Sequence, residues 1–438
     1  MKKLLFTLLA ILSVASSAYA VENYPYQSDY MWVTVPDHHD WVYDRGQDAR
    51  IEVMLLKYGM PQHVKVSYSI ADDMQPAIKT GDVTLKDGRA FITILSPDRP
   101  GFRDLALEAE VDGTVYRHHI KVGFSPDKIK PHVKEPADFT DFWAANIDAM
   151  REAPLKYTRE LAPEYCTDKV DCWLVKLDTD TKGHSIYGYL TMPKDAKPGS
   201  LPAVLCPPGA GIKTIKLPAR NHFYAENGFM RFEIEIHGLD PRMPDAKFKE
   251  ISAAVDHGNG GYLGVGADDK DHYYMKRVYT ALVRANDFLT SLPEWDGRNL
   301  AMQGGSQGGA LAVIGTALDP RVTLCVANHP ALTDMEGYHT KGHTGGYPHF
   351  NKVKGFLDRD DYRNTLSYYD VINFGRHVNV PVYMTWGYND NTCPPTTSYA
   401  LWNTLTCPKE ALITPVNEHW TSRTTNVGQM EWIKKNLR

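Results

Sequence analysis

Between residues 30 and 122, apolar and polar residues alternate in short runs separated by turn residues. Ile51, Val53 and Leu55, for example, are each two positions apart, and such alternation is typical of a half-buried β-strand. The dipeptide Asp112-Gly113 lies between two of these runs and predicts a tight hairpin turn. Seven strands are predicted, at residues 31–35, 49–56, 63–70, 81–85, 90–95, 105–111 and 114–122. Seven short strands with no helical period predict an immunoglobulin-like β-sandwich.

After residue 131 the hydrophobic period changes. Phe142, Trp143, Ile147 and Met150 have helical spacing and predict a helix over residues 138–150. Strands are then predicted at 186–192, 203–206, 229–236, 299–302, 322–327 and 382–386, and helices at 272–292 and 307–318. This alternation predicts a mostly parallel sheet with helices on both faces. Ligands of such sheets bind at the carboxyl ends of the strands.

The predicted strand at 229–236 is unusual because Arg231, Glu233 and Glu235 alternate with its apolar residues. The pattern predicts a strand with one polar face. That face is either partly exposed to solvent or covered by the β-sandwich, and a functional carboxylate pair is the alternative interpretation.

The first twenty residues have the pattern of a signal peptide. Lys2 and Lys3 precede an apolar run at 4–14, and the segment ends in Ala18-Tyr19-Ala20. A membrane anchor is the alternative, but the run is shorter than the roughly 20 residues that span a bilayer. We therefore expect cleavage after Ala20 and a secreted or periplasmic protein without a membrane anchor. The predicted organisation is a signal peptide at 1–20, a β-sandwich domain at 21–128 and a catalytic α/β domain at 129–438.

Charge and cysteine content exclude some classes of function. The net charge of −5 is spread along the chain without a basic stripe, so no nucleic-acid partner is expected. Six cysteines in a chain of 438 residues do not make a disulfide scaffold. Cys166 and Cys172 are close enough in sequence to pair. Cys206, Cys325 and Cys393 lie in or beside apolar runs, where we expect buried free thiols.

The strongest chemical motif is Gly-Gly-Ser-Gln-Gly-Gly at 304–309. It follows a predicted strand and precedes a predicted helix, which is the context that the G-x-S-x-G nucleophile elbow requires. The glycines allow the strained turn on which the nucleophile sits. The motif predicts an α/β-hydrolase with Ser306 as the nucleophile.

A serine nucleophile requires a base, and in this fold the order along the chain is serine, acid, histidine. His419 is the only histidine after His377 and is predicted to be the base. Asp390 follows the predicted strand at 382–386, whose end would deliver its carboxylate to the site. Other carboxylates at positions 360, 361 and 370 precede that strand, and helix capping explains them. We therefore predict a Ser306, His419 and Asp390 triad.

The tetrahedral intermediate of acyl transfer requires preorganised hydrogen-bond donors. The backbone N–H of Gln307, the residue after the nucleophile, is the first candidate. The second is the N–H of Ala210, in the glycine-containing loop that follows the predicted strand at 203–206. This chemistry needs no metal or organic cofactor.

Two other stretches contain residue types that occur in binding sites. The glycine-rich residues 258–266 match neither the spacing of a dinucleotide-binding motif nor that of a P-loop, and they indicate a mobile loop. His339, His343 and His349 are candidate metal ligands, but no predicted helix aligns them. A lid or a loop that lines the substrate site is the preferred interpretation of this second stretch.

Several segments between residues 130 and 438 together resemble the acetyl xylan esterase and cephalosporin C deacetylase family of α/β-hydrolases. They are Pro-Ala-Asp-Phe at 136–139, Arg-Ala-Asn-Asp-Phe-Leu at 284–289, the elbow at 304–309, Thr-Leu-Ser-Tyr-Tyr-Asp at 365–370 and Asp-x-x-Cys-Pro-Pro from Asp390. The resemblance implies that Asp390 is the triad acid and that sugar acetates are deacetylated through an acyl-enzyme. Residues 208–211 and 237–239 differ from the family's pattern, so substrate identity and the family's hexameric assembly are not carried over.

The predicted function is therefore a secreted serine carbohydrate esterase acting on an acetylated oligosaccharide or a small acetyl ester. Two alternatives stay open at this point. One is a serine peptidase of the same fold, and the other is a carbohydrate-binding protein with an inactive hydrolase domain. The sequence leaves the oligomeric state open.

Overall fold

Residues 30–124 form two β-sheets in the computed structural model, which describes residues 29–215, 218–255 and 260–438. The predicted signal peptide lies outside the described residues. The strands are β1 Tyr30–Pro36, β2 Val42–Tyr43, β3 Ala49–Lys57, β4 Met60–Pro61, β5 Lys65–Asp72, β6 Ala77–Thr84, β7 Arg89–Ile94, β8 Gly101–Val111 and β9 Thr114–Phe124. All seven predicted runs are strands. β2 and β4 have two residues each, too few to show an alternation.

In the first sheet β3 pairs with β1, β4 and β7, and in the second the order is β2-β9-β8-β5-β6. Apolar residues of both sheets, such as Val53 and Val122, form one buried cluster between them. At the β8–β9 hairpin Asp112 and Gly113 have φ values of 52° and 76°, as the two-residue turn requires. We call residues 30–124 the sandwich unit.

The remaining chain alternates strands and helices. Its strands are β10 Tyr157–Leu161, β11 Val170–Asp178, β12 Ser185–Pro193, β13 Leu201–Cys206, β14 Met230–Ile234, β15 Trp295–Gly305, β16 Leu324–Asn328, β17 Val382–Trp386 and β18 Lys409–Ile413. Its helices are α1 Phe139–Arg151, α2 His222–Glu226, α3 Asp245–Val255, α4 Met275–Ser291, α5 Gln307–Leu318, α6 Asp360–Tyr369, α7 Val371–Gly375, α8 Pro395–Thr404 and α9 Arg423–Lys435. Among the described helices, none is long and apolar enough to cross a membrane.

These strands form a nine-stranded sheet in the order β10-β11-β12-β14-β13-β15-β16-β17-β18. The strands from β14 to β18 in this order run parallel, whereas β10, β11 and β12 pair antiparallel at one edge. The predicted mostly parallel sheet is confirmed. α4 and α5 pack with the large core on one side, while α9 packs with a smaller cluster around Val204 and Val326.

The sandwich unit also contributes to the large core. Phe102 of β8 is 2% exposed and belongs to the cluster of the nine-stranded sheet rather than to that of the sandwich. Its ring lies 4.9 Å from the ring of Tyr388 and 5.6 Å from that of Tyr399. Apolar packing therefore connects the sandwich unit to the segment that follows β17.

Candidate active site

Ser306 lies on the sharp turn between β15 and α5. Its φ and ψ are 60° and −125°, a region that residues with a side chain rarely adopt. Its N–H donates to the Asn328 carbonyl at 3.0 Å, and its own carbonyl accepts from the Ala331 N–H at 3.1 Å. These bonds to the end of β16 and to the segment after it hold the strained turn.

Two glycines of the elbow stand where no side chain fits. A Cβ on Gly304 would lie 2.3 Å from the Gly308 carbonyl oxygen, and one on Gly308 would lie 2.4 Å from that of Pro207. The helix start and the loop after β13 therefore approach each other closely. The glycine pattern of the elbow has a steric cause in both places.

The structure brings the three predicted residues together in one hydrogen-bonded relay. Ser306 Oγ lies 2.9 Å from His419 Nε2, and His419 Nδ1 lies 2.8 Å from Asp390 Oδ2. The Asp390 side chain is fully buried, whereas that of His419 is 27% exposed. The serine end of the relay is thus the end that solvent and a substrate can reach.

Asp390 is held by the acid loop, which we define as residues 387–394 between β17 and α8. Its Oδ1 accepts the N–H groups of Thr392 at 2.7 Å and Cys393 at 2.8 Å. These bonds leave Oδ2 for the His419 imidazole. The competing acids are elsewhere: Asp370 accepts from the Ile372 N–H as the N-cap of α7, and Asp360 and Asp361 lie in the first turn of α6.

Two further side chains adjoin the relay. The His329 ring lies 4.3 Å from the His419 ring, and burial lowers the pKa of His329 to about 4, so its imidazole is neutral at neutral pH. Cys393 is buried beside Asp390, and burial raises the pKa of its thiol well above the usual range. A protonated thiol is a poor nucleophile, so Cys393 does not compete with the serine.

The loop after β13 lies against the elbow, as the oxyanion-hole prediction requires. Gln307 begins α5, and the first N–H groups of a helix have no acceptor within it. Ala210 is half-buried in the adjoining loop. The next N–H along, that of Gly211, donates to Tyr262 Oη at 3.1 Å, and this hydroxyl donates to Gln307 Oε1 at 2.5 Å. Tyr262 therefore connects the two segments that carry the candidate donors.

The polar face predicted for this strand is only partly exposed. The Glu233 side chain of β14 is 29% exposed, whereas Arg231 and, just after the strand, Glu235 are buried. β14 lies between β12 and β13, and Arg231, 6% exposed, donates to Gln303 Oε1 at 3.0 Å. Glu235 accepts N–H groups from Tyr187 and His237, and burial raises its pKa to about 7. The nine-stranded sheet supplies partners for these groups internally.

A cavity of about 690 Å³ opens at the carboxyl ends of the strands, where this class of sheet binds its ligands. Its lining includes Gly305, adjacent to Ser306 in the chain, and Thr421, two residues after His419. Arg231 and Glu233 make another part of the wall polar. The cavity adjoins the elbow, but neither Ser306 nor His419 is among its lining residues.

Sequence patterns did not indicate the roles of His329 and Tyr262. His329 follows a buried strand, and Tyr262 lies in the stretch interpreted as a mobile loop. Neither has a spacing that points to the elbow.

The cysteine predictions are confirmed in part. Cys206, Cys325 and Cys393 are buried free thiols as expected. Cys166 and Cys172 do not form a disulfide, and Cys166 Sγ accepts the Cys172 N–H at 3.4 Å.

Among the residues that the structure describes, one group has His, Cys, Asp or Glu ligand atoms close enough together to hold a metal ion. It is formed by His329, Asp390 and His419. Asp390 and His419 are already engaged in the relay. The histidines at 339, 343 and 349 do not form such a group, and His349 instead contacts the hydroxyl of Tyr338 at 3.0 Å.

A mostly parallel sheet with a serine, histidine and aspartate relay beside the elbow is the arrangement of a serine hydrolase of the α/β-hydrolase type. Comparison with known proteins gives the same class and narrows it. Residues 127–436 match the model of the acetyl xylan esterase (AXE1) family. The chain belongs to this family and is a carboxylic-ester hydrolase.

The chain is 58% identical over 438 residues to the acetyl esterase Axe7A of Xylanibacter ruminicola, an alignment that covers 100% of this chain and 98% of the relative. Among solved structures, the acetyl xylan esterase from Paenibacillus sp. R4 is 27% identical with a TM-score of 0.63, over 71% of this chain and 98% of the other. Acetyl xylan esterase 1 from Thermoanaerobacterium shares the fold with a TM-score of 0.60 at 21% identity, over 71% and 97% of the two chains.

Proposed function

We propose that this enzyme is a secreted serine carbohydrate esterase that removes acetyl groups from acetylated sugars through an acyl-enzyme. The observation that carries the proposal is the continuous relay from Asp390 through His419 to Ser306, with hydrogen-bond distances of 2.8 and 2.9 Å. Family membership and the acetyl esterase relative support acetyl groups on carbohydrate as the substrate class.

In the first half-reaction Ser306 Oγ attacks the acetyl carbonyl carbon while its proton passes to His419 Nε2. The tetrahedral intermediate then collapses. The bond from the carbonyl carbon to the sugar oxygen breaks, and that oxygen takes the proton from the imidazolium. The products of this half-reaction are a deacetylated sugar hydroxyl and acetyl-Ser306.

In the second half-reaction a water molecule attacks the acetyl-enzyme and gives its proton to His419. Collapse of the second intermediate returns the proton to Ser306 and releases acetic acid, which ionises to acetate in water. Asp390 orients the imidazole and stabilises its charged form. The enzyme's own groups and water supply every atom that this reaction needs, so no cofactor is invoked.

Negative charge that develops on the carbonyl oxygen requires donors that are already in place. We assign this role to the N–H groups of Gln307 and Ala210. The close approach of the loop after β13 to the start of α5 and the Tyr262 hydrogen bonds support the assignment.

Residues 1–20 are proposed to be a signal peptide. Its removal would leave the mature enzyme outside the cytoplasm, with access to extracellular sugars. The division into a domain at 21–128 and a catalytic domain at 129–438 is also a proposal. Two sheets around one buried cluster support an immunoglobulin-like domain in the first part. The family match to residues 127–436 supports the boundary.

The proposal is tested with Ser306→Ala and a panel of acetylated xylo-oligosaccharides, other acetylated sugars, p-nitrophenyl acetate, longer acyl esters and aminoacyl anilides. Because the variant has no nucleophile, turnover should fall by about 10⁴-fold or more while the fold is retained. Ser67→Ala, on an exposed position of β5, is the matched control and should keep full activity.

The wild-type enzyme should release acetate fastest from the acetylated sugars. Preference for the anilides would instead identify a peptidase, and no hydrolysis of any substrate would identify an inactive binding protein. Near-normal esterase activity of Ser306→Ala would overturn the assignment of the nucleophile.

A further inference from the structure

A buried ion pair lies between the sandwich unit and the acid loop. Lys121 of β9 and Asp73, which follows β5, are 0% and 1% exposed, and Lys121 Nζ lies 2.7 Å from Asp73 Oδ1. Charged groups are rarely buried to this extent because both lose their hydration. Two hydrophobic residues would fill the same space without this loss of hydration. The other hydrogen bonds of Lys121 and Asp73 therefore indicate what the charged pair does.

Lys121 contacts the first half of the acid loop twice. Its ammonium donates to the Asp390 carbonyl oxygen at 2.9 Å, and its backbone N–H donates to Asn389 Oδ1 at 2.9 Å. The Asn389 amide in turn donates to the Val416 carbonyl at 3.3 Å. Val416 is three residues before His419, so this set of bonds reaches the segments of both relay residues.

Asp73 contacts the other end of the same loop. Its Oδ2 accepts the N–H of Thr396 at 3.2 Å and the hydroxyl of Thr396 at 2.7 Å. Thr396 lies in the first turn of α8, directly after the acid loop. The Asp73 carbonyl also accepts from Thr344 Oγ1 at 2.7 Å. The ion pair therefore joins both ends of residues 389–396 to the sandwich unit.

We propose that Lys121 and Asp73 are positioning residues of the esterase reaction. They hold the acid loop so that Asp390 Oδ2 stays within hydrogen-bond distance of His419 Nδ1. This inference rests on the proposed function, because it has meaning only if Asp390 orients the base. The sandwich unit then contributes to turnover without touching the substrate.

The consequence follows from the geometry of the relay. A carboxylate that shifts by about 1 Å no longer orients the imidazole, and such a shift costs on the order of 100-fold in rate. Lys121 and Asp73 are too deeply buried to touch a substrate, so the loss should fall on kcat and leave KM nearly unchanged.

The test uses Lys121→Met and the double variant Lys121→Met with Asp73→Asn in the full-length enzyme. The single variant leaves a buried carboxylate without its partner and should be strongly destabilised. The double variant has no uncompensated charge, so its urea midpoint should return toward that of the wild type. Both variants lack the ammonium that donates to Asp390.

Activity is measured with p-nitrophenyl acetate and divided by the concentration of folded enzyme, which circular dichroism gives. Both variants should lose about 10- to 100-fold in kcat, and KM should change by less than about threefold. The control Val53→Ala creates a cavity in the sandwich core and lowers stability. Val53 belongs to the buried cluster of the sandwich, which includes no residue of the acid loop, so kcat should be unchanged. Recovery of stability without recovery of kcat in the double variant separates positioning from a merely structural role.

Wild-type kcat in the folded double variant would overturn the inference. If neither Lys121 variant folds, Thr396→Val is the deciding variant, because it keeps both charges and removes only the hydroxyl that donates to Asp73. A several-fold fall in its kcat would support the inference. An unchanged kcat would overturn it. Asp390→Asn is measured in parallel. A loss in that variant with none in the others would refute this inference alone, whereas full activity of Asp390→Asn would refute the role of Asp390 in the relay that the proposed function uses.

Discussion

At the scale of single residues, the two oxygens of Asp390 have different partners, and this difference determines what the relay can do. Oδ1 accepts two backbone N–H groups, and Oδ2 faces His419 Nδ1. An acceptor at Nδ1 requires the tautomer with a proton on that nitrogen. His419 Nε2 is then free to accept the Ser306 proton.

Asp390→Asn should therefore abolish most activity without disturbing the loop. The amide oxygen is needed by the Thr392 and Cys393 N–H groups, so the NH₂ group must face His419 Nδ1. The imidazole would then carry its proton on Nε2 and could not act as the base. We expect a fall in kcat of about 10⁴-fold, measured with p-nitrophenyl acetate.

Asp360→Asn is the matched control for this variant. Asp360 is another carboxylate of the same domain, its side chain is 94% exposed, and it pairs with Arg363 in the first turn of α6. Its kcat should equal that of the wild type. An Asp390→Asn enzyme that is as active as this control would show that another group serves as the acid.

At the scale of secondary-structure elements, the site depends on how closely the start of α5 approaches the loop after β13. Gly308 is the contact point, because the position of its missing Cβ lies 2.4 Å from the Pro207 carbonyl oxygen. The neighbour is backbone and cannot rotate away. The spacing between the Gln307 and Ala210 segments is thus set by the absence of a single side chain.

Gly308→Ala should force the two segments apart. Overpacking of this kind costs about 1 to 3 kcal/mol in the free energy of unfolding, and displaced oxyanion donors should also lower kcat by at least about 100-fold. Urea unfolding and p-nitrophenyl acetate hydrolysis measure the two effects separately.

Gly428→Ala tests the same substitution where space is available. Gly428 lies in α9, and no atom lies within 4 Å of its missing Cβ. Alanine should stabilise that helix by up to about 1 kcal/mol and leave kcat unchanged. If the two alanine variants had the same free energy of unfolding and the same kcat, the close approach at Gly308 would not be needed for stability or catalysis.

At the scale of the whole molecule, the sandwich unit and the nine-stranded sheet share apolar surface as well as the buried ion pair. Phe102 of the sandwich unit packs against the rings of Tyr388 and Tyr399. Tyr388 belongs to the acid loop, and Tyr399 to α8. Unfolding of the sandwich unit would therefore expose aromatic surface beside the acid.

Phe102→Ala should lower the free energy of unfolding by about 3 to 5 kcal/mol, the usual cost of truncating a buried phenylalanine. Because the contact joins the two parts, the variant should also separate one urea transition into two. Phe91→Ala, at a position of β7 that is 46% exposed, should cost less than about 1 kcal/mol. Similar losses in the two variants would contradict a buried contact between the parts.

Much of this protein is determined by local sequence. The seven predicted strands of the sandwich, the helix after Ser306 and the strand before Asp390 can all be predicted, because alternation, turn chemistry and chain order act over a few residues. The elbow glycines and the order Ser306, Asp390, His419 likewise restrict the candidate triad to few residues. These features need no knowledge of what lies across the sheet.

Tertiary structure alone decided the remainder. The alternation in β14 indicates a polar face, but only the fold decides that Arg231 is buried against Gln303 while Glu233 stays partly exposed in the cavity wall. Tyr262 contacts Gln307 across 45 positions of sequence, and Lys121 contacts Asp390 across 269. No periodicity records such pairs, because whether a charge is solvated, paired or used to hold a loop depends on which distant segments the fold brings beside it.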